Sequence, residues 1–339
     1  MTHLTRTRFA ALCLGTMSLG APMIALTQSP AAPAAASPVA LSAATRDSVI
    51  DGTLAALDRG YVFPEKARAM REAIEARRAA GEYAGITGAS ALAEALTRDL
   101  QTVSRDKHLR VRHGSGPQGP GGPVRRDRAA FEAAGRASNF GVGKAEVLPG
   151  NVGYVEIQSF GYPPELSAEA VAAAMTTVAD ADALIVDIRR NGGGAPQAVA
   201  LVSSYLFGEE PVHLNSLYWR PGDRTDDFYT LRTVAGKRFG PDKPVYVLTS
   251  SRTFSAAEEF AYNLQTRKRA TIVGETTGGG AHPGQVQRVL GDFTVFVPTG
   301  RAINPITKTN WEGTGVRPDI AVPADSALAR AIAAARARR

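Results

Sequence analysis

Cysteine is nearly absent: the 339-residue chain has one, Cys13, and it falls inside an apolar leader. Without that leader the chain has no thiol, which excludes disulfides, a cysteine nucleophile and thiolate-bound metal. Long apolar runs are equally scarce. Beyond residues 9–26 no stretch is long enough to cross a bilayer, so no stable membrane anchor is expected once the leader is cleaved. Positive charge is in only modest excess. The formal net charge of +7 is partly the arginines of residues 330–339, and elsewhere basic residues alternate with acids, so the chain has no nucleic-acid footprint.

What is present reads as an ordinary globular enzyme-sized chain, 44% hydrophobic, with room for one large and one smaller domain. Arg6 and Arg8 precede the apolar run of residues 9–26, and an Ala/Pro-rich tract follows. That is the layout of a secretory signal, here spanning residues 1–36 with its leader and cut between Ala25 and Ala36. Export to a periplasmic or extracellular space is the expectation.

Residues 41–113 read as a small helical N-terminal domain with apolar-periodic segments at 42–59, 64–80 and 90–103. His108, Arg110 and Arg112 alternate with Leu109 and Val111, which predicts a strand edge after the third helix. Residues 114–138 form a Gly/Pro linker and short helix. From 139 to 339 strands and helices alternate, so the fold class is α/β with a partly parallel sheet. Expected strands lie at 140–148, 152–160, 183–188, 213–219, 245–249, 270–273, 286–290 and 293–298. Expected helices lie at 167–178, 196–206, 256–265 and 326–334.

Within that core, residues 244–266 read as a buried strand, a polar turn and an amphipathic helix, with Ser255 where the helix begins. A hydroxyl there meets unpaired N–H groups and the positive end of the helix dipole, a field that favours developing negative charge. The same Ser255 to Glu258 spacing also fits a capping box, so the residue alone leaves nucleophile and plain cap both open.

Four motifs occur in order: ALIVDIRRNGGG (183–194), TSSRTFSAAEEFAY around Ser255, IVGETTGGGAHPG (272–284) and WEGTGVRPDIAV (311–322). Together they resemble the tail-specific or carboxy-terminal processing serine peptidases, which have a Clp-protease/crotonase-like core. YVFPEKA (61–67) and NVGYVEIQSF (151–160) resemble the branch related to interphotoreceptor retinoid-binding protein and the tricorn protease core. Two features depart from the processing peptidases. The 25 residues of 114–138 are too few for a PDZ domain, and Gly280 stands where those enzymes carry the lysine of a Ser/Lys dyad.

The resemblance to the retinoid-binding and tricorn-like branch implies His108 as base and Glu312 as its orienting carboxylate, with Ser255 as nucleophile. It also implies backbone donors at Gly193, Gly194 and Ala256 for the oxyanion. Imidazole suits the role because its pKa is poised near neutrality. His282, in the loop that lacks the lysine, is a rival base, whereas His113 and His213 read as structural. The glycine loops lack the spacing of phosphate-binding motifs, and His108 and His113, taken as five apart on one strand, would face opposite ways. No metal and no cofactor are expected. The implied activity is peptide or protein hydrolysis; the alternatives are a non-catalytic binder of an apolar ligand or peptide, and an esterase-type acyl hydrolase. Oligomerisation is left open.

Overall fold

The computed structural model describes residues 40–114 and 127–337. The expected leader and most of the Gly/Pro stretch lie outside them. In chain order the elements are α1 (Ala43–Gly60), α2 (Pro64–Ala79), α3 (Ala89–Ser104), β1 (Arg110–His113), α4 (Arg128–Ala137), β2 (Val142–Leu148), β3 (Val152–Ile157), α5 (Pro164–Val178) and β4 (Ala183–Asp187). There follow α6 (Pro196–Ser204), β5 (His213–Trp219), β6 (Arg224–Tyr229), β7 (Val245–Thr249), α7 (Ala256–Thr266), β8 (Thr271–Gly274), β9 (Gly284–Leu290), β10 (Phe293–Pro298), β11 (Gly300–Ile303), β12 (Ile320–Ala321) and α8 (Ala324–Ala337).

The main sheet has the order β12-β8-β7-β4-β3-β2, parallel except for the antiparallel β2 edge. Every residue of β4 and β7 is buried, as expected of central strands covered on both faces. On one face α5, α6 and α7 pack through Val171, Val199, Leu201, Phe260 and Leu264; on the other, Ala327, Ala331 and Ala335 of α8 lie against Ile185, Tyr246 and Leu248. The register pairs Asp187 with Leu248 and Leu248 with Val273. β4, β7 and β8 therefore end nearly level, and the loops leaving them open at one rim, the place where open parallel sheets gather ligands.

The helices α1 to α3 bury Ile50, Leu54, Leu57, Met70, Leu92, Leu96 and Leu100 in a cluster that also contains Val111 of β1 and Phe293, Val295 and Val297 of β10. Strand β1 pairs with β10, and β10 with β9. The N-terminal helices thus complete their core with strands drawn from almost 200 residues further on, and residues 40 onward form one compact unit. Three short strands, β6, β11 and β12, are additions to the expected set. β6 is polar and half exposed, so it gives no apolar alternation to read.

Candidate active site

Ser255 sits between β7 and α7 with φ 57° and ψ −124°. An ordinary helix N-cap adopts extended backbone, and a non-glycine residue with positive φ outside the left-handed helical well is strained by about 1–3 kcal/mol. Such strain persists only where neighbours over-determine it. Here they do: Ser255 N–H donates to Glu258 Oε2 at 2.8 Å, Phe254 N–H donates to the Asn191 carbonyl at 3.1 Å, and Thr253 Oγ1 donates to the Ile188 carbonyl at 3.0 Å. A strained strand-to-helix turn that holds up a serine is the geometry of a nucleophile elbow.

Glu258, fully buried, is the hub of that turn. Besides Ser255 N–H it accepts from Thr277 Oγ1 (2.5 Å), Gly279 N–H (2.6 Å) and Gly280 N–H (2.9 Å), tying the nucleophile to the second glycine loop. Burial pushes its pKa up and these donors pull it back. The first glycine loop is equally close. A Cβ on Gly193 would stand 2.8 Å from Ser255 Cβ, and Gly193 and Gly194 have φ of 106° and 149°, so no side chain fits and only glycine makes the bend.

Of the three expected oxyanion donors, Gly193 is engaged elsewhere: its N–H donates to Asn191 Oδ1 at 2.8 Å. The N–H groups of Gly194 and Ala256 have no acceptor among the described residues.

His108 lies in a turn before β1, not on the strand as the alternation predicts. Its position has a local cause. Arg105 ends α3 in the left-handed conformation, φ 61°, and Asp106 then closes a turn in which its Oδ1 accepts His108 N–H at 3.0 Å. Lys107 donates to the Gly278 carbonyl at 2.6 Å and pins the turn to the glycine loop. The imidazole is thereby held against Phe254, 4.6 Å between centroids, and Phe296, 5.8 Å. His113 ends β1 while His108 precedes it, so the two do not share a strand and the expectation that they face opposite ways across one is corrected.

Gly280 explains why the ring fits. A Cβ there would overlap the Phe254 ring and come within 2.7 Å of His108 Cε1, so the two rings fill the space that a side chain at 280 would need.

Behind His108 stands a buried carboxylate pair. Asp106 Oδ2 meets Tyr61 Oη at 3.1 Å and His282 Nδ1 at 2.8 Å; Glu312 Oε2 accepts Ala281 N–H at 2.5 Å and lies 3.5 Å from His282 Nδ1. A ring nitrogen of His108 and one oxygen from each of Asp106 and Glu312 lie within 4.8 Å of one another, a set that a metal could draw in. Asp106, however, already accepts from three donors, which reads as a hydrogen-bonded carboxylate–imidazole cluster. Two buried atoms in it have no partner among the described residues: His108 Nδ1 and Glu312 Oε1.

Burial pushes the His108 pKa down to about 4, partly offset by the Asp106 charge, and burial with Asp106 repulsion pushes Glu312 up to about 7. No hydrogen bond joins Ser255 Oγ to either ring among the described residues.

The sequence profile of peptidase family S41 matches residues 151–322, just over half of the chain. The chain belongs to that family. A second profile, the N-terminal domain of peptidase S41 in eukaryotic IRBP, matches residues 31–134 and so covers the segment that carries His108. Among curated proteins, the carboxy-terminal-processing protease of Bartonella bacilliformis is 27% identical over 181 residues, 52% of this chain and 39% of the relative. The chloroplastic carboxyl-terminal-processing peptidase 2 of Arabidopsis thaliana is 28% identical over 187 residues, 52% of this chain and 34% of the relative. This S41 chain therefore aligns with less than half the length of either.

Among solved structures, the tricorn protease superposes with a TM-score of 0.57 at 14% identity, covering 86% of this chain and 36% of that one. A lipoprotein from Streptococcus agalactiae superposes at 0.56 with 13% identity, covering 87% and 97%. At such identity the likeness concerns the Clp-protease/crotonase-like fold alone, and it bears out the α/β core with helical N-terminal region expected from the motifs.

The S41 fold brings Ser255, His108 and Glu312, with Gly193, Gly194 and Ala256, to one rim. Reasoning from sequence missed Asp106, although it stands two residues before His108 in D-K-H, the spacing of a carboxylate closing a turn on the backbone. The role of Phe254 left no readable signal. His213 stacks on Tyr229 and meets Ser216 Oγ at 3.0 Å, while His113 lies against Phe293.

Proposed function

We propose that this S41 protein is an exported serine peptidase that hydrolyses peptide or protein bonds with Ser255 as nucleophile, His108 as base and Glu312 as the carboxylate that orients it. The observation that carries the reading is the strained backbone of Ser255 beside the only-glycine bend of Gly193 and Gly194. A plain cap needs neither.

In the reaction His108 takes the Ser255 proton as Oγ attacks the scissile carbonyl, and the N–H groups of Gly194 and Ala256 receive the oxyanion. His108 Nδ1 and Glu312 Oε1, two vacancies in one cluster, complement each other: a small closure on substrate binding lets Nδ1–H donate to the carboxylate and leaves Nε2 for the serine. The base here is histidine rather than lysine, because the His108 and Phe254 rings occupy the room at Gly280. The apolar leader at 9–26 supports export.

Labelling with a fluorophosphonate probe tests the assignment. The expected adduct, located by mass spectrometry, is on Ser255. A protein that ignores the probe yet binds peptides would be a binding member of the fold, and an adduct with turnover confined to simple esters would make it an acyl hydrolase of another kind.

A further inference from the structure

One cavity has His282 and Glu312 in its wall but neither Ser255 nor His108, and the reaction outlined above leaves it unused. It measures 340 Å³, and its walls include Lys66 of α2, Arg301 of β11 and Lys308 and Asn310 of the loop after β11, with His282 and Glu312 at its inner end.

Three cations converge on it, and none of them has a carboxylate partner among the described residues. Elsewhere in the molecule basic side chains do pair with acids, as Arg71 does with Asp58 and Arg189 with Asp187. The Arg301 guanidinium is spread over the Tyr218 and Phe63 rings at 5.2 and 5.8 Å, and its Nε is buried without an acceptor. Lys66 reaches only the Ser104 carbonyl, at 3.3 Å, and lies 5.3 Å from the Phe63 centroid. A buried donor without an acceptor is unfavourable, so this arrangement leaves free energy that an anion would recover. Glu312 is the single acid in the wall, so the three cations stay in excess whether or not it is ionised.

We propose that this cavity is a substrate subsite for a carboxylate, supplied by an acidic side chain of the peptide or by its free chain end, which Arg301 grips through its planar fork while Lys66 and Lys308 set the local field. A carboxylate is favoured because a guanidinium pre-oriented by two aromatic faces presents paired N–H donors that match its two oxygens. The cavity shares Glu312 with the cluster proposed above, so a carboxylate seated there lies against the residue assigned to orient the base. The identity of the ligand as a peptide rests on the peptidase reading above; the preference for a carboxylate does not.

The test separates the two. Fluorescein-labelled hexapeptides carrying Glu at each position in turn, a matched Gln series, and pairs with a free or an amidated C-terminus are titrated against the Ser255→Ala protein, so binding is read without turnover. At least one carboxylate member should bind about tenfold tighter than its neutral match, with the advantage shrinking as salt rises. A gain within the Glu series assigns the side chain, and a gain for the free terminus assigns the chain end. The advantage should fall toward one in Arg301→Gln, and by a smaller factor in Lys308→Met, whose exposed side chain makes misfolding no explanation. Equal affinities across all matched pairs, or an advantage unchanged in both variants, overturns the subsite. If peptides show the preference while the wild-type protein neither cleaves them nor takes the fluorophosphonate, the subsite stands and the peptidase reading falls.

Discussion

His108 and His282 face the same two carboxylates from different sides, and they are held in opposite ways. His282 is 4% exposed, its Nδ1 is bound to Asp106 at 2.8 Å, and Phe63 meets it edge-on. His108 is half-buried between two aromatic rings, and its Nδ1 has no partner. In the proposed mechanism Nε2 exchanges the proton while Nδ1 must be free to turn to Glu312, and of the two rings only His108 has an uncommitted Nδ1 among the described residues. On that proposed reading His108 serves the chemistry and His282 holds Asp106 and Glu312 in place.

The sharpest break is at the nucleophile that both rings would serve. Ser255→Ala should lower turnover by about 10⁴-fold or more, as removal of a serine nucleophile does. Alanine inherits the same positive φ, and the Glu258 bond to the residue 255 N–H survives, so the melting temperature should shift little. Measured turnover of casein by this variant within tenfold of wild type would remove Ser255 from the mechanism.

Next in size is the exchange between the rings. His108→Ala should cost about 10³-fold in kcat with KM nearly unchanged, the mark of an interaction made in the transition state. His282→Ala should cost about tenfold and should also destabilise the fold by about 1–3 kcal/mol, because it strips a buried partner from Asp106. Steady-state kinetics and denaturant melts on both variants decide the matter, and a reversal of the two kinetic losses would exchange the roles.

The nucleophile side was legible in sequence and the base side largely was not, for a physical reason. Strand β7, the turn and α7 are contiguous, and their apolar period and the Ser255 to Glu258 spacing report local structure directly. His108, Asp106, His282 and Glu312 come from three separated segments, brought together because the N-terminal helices finish their core on β10. No periodicity encodes that meeting; only the family resemblance pointed to His108 and Glu312. The alternation around His108 misled because the left-handed Arg105 and the Asp106 turn delay the strand until Arg110. The same kind of local bond, from Gly193 to Asn191, takes away one of the three backbone donors that the motif offered.

Glu258 tests whether the two sides are mechanically joined. Glu258→Ala removes the acceptor of four donors, three from the loop that borders His108 and one from Ser255 itself. The expected loss is about 2–4 kcal/mol of stability together with a fall of about 10²-fold in turnover at temperatures where the variant is folded. Glu258→Gln, which keeps one oxygen, should recover part of both. A folded alanine variant with normal turnover would mean that the elbow keeps its shape without this hub.

The smallest expected effect separates the carboxylate from the ring by pH. Glu312 titrates near 7 in the folded protein against about 4.5 unfolded, and His108 near 4 against about 6.5. Between about pH 4.5 and 7 the folded state holds the Glu312 proton that the unfolded state has lost, so this group lowers stability as pH rises. Between about 4 and 6.5 the unfolded state holds a proton that folded His108 does not, so the histidine raises stability as pH rises. The two oppose each other where they overlap, and stability should be nearly flat there. Turnover should not be flat: His108 is already neutral above about pH 4, and an ionised Glu312 is what strengthens it as a base. The rate should climb about tenfold through pH 7 in the wild-type protein. In Glu312→Gln that climb should vanish at a lower overall rate, and stability should now rise with pH from about 4 to 6.5 as the histidine contribution stands alone. A climb near pH 7 that survives in Glu312→Gln would place the ionisation on an imidazole and return His282 to contention as the base.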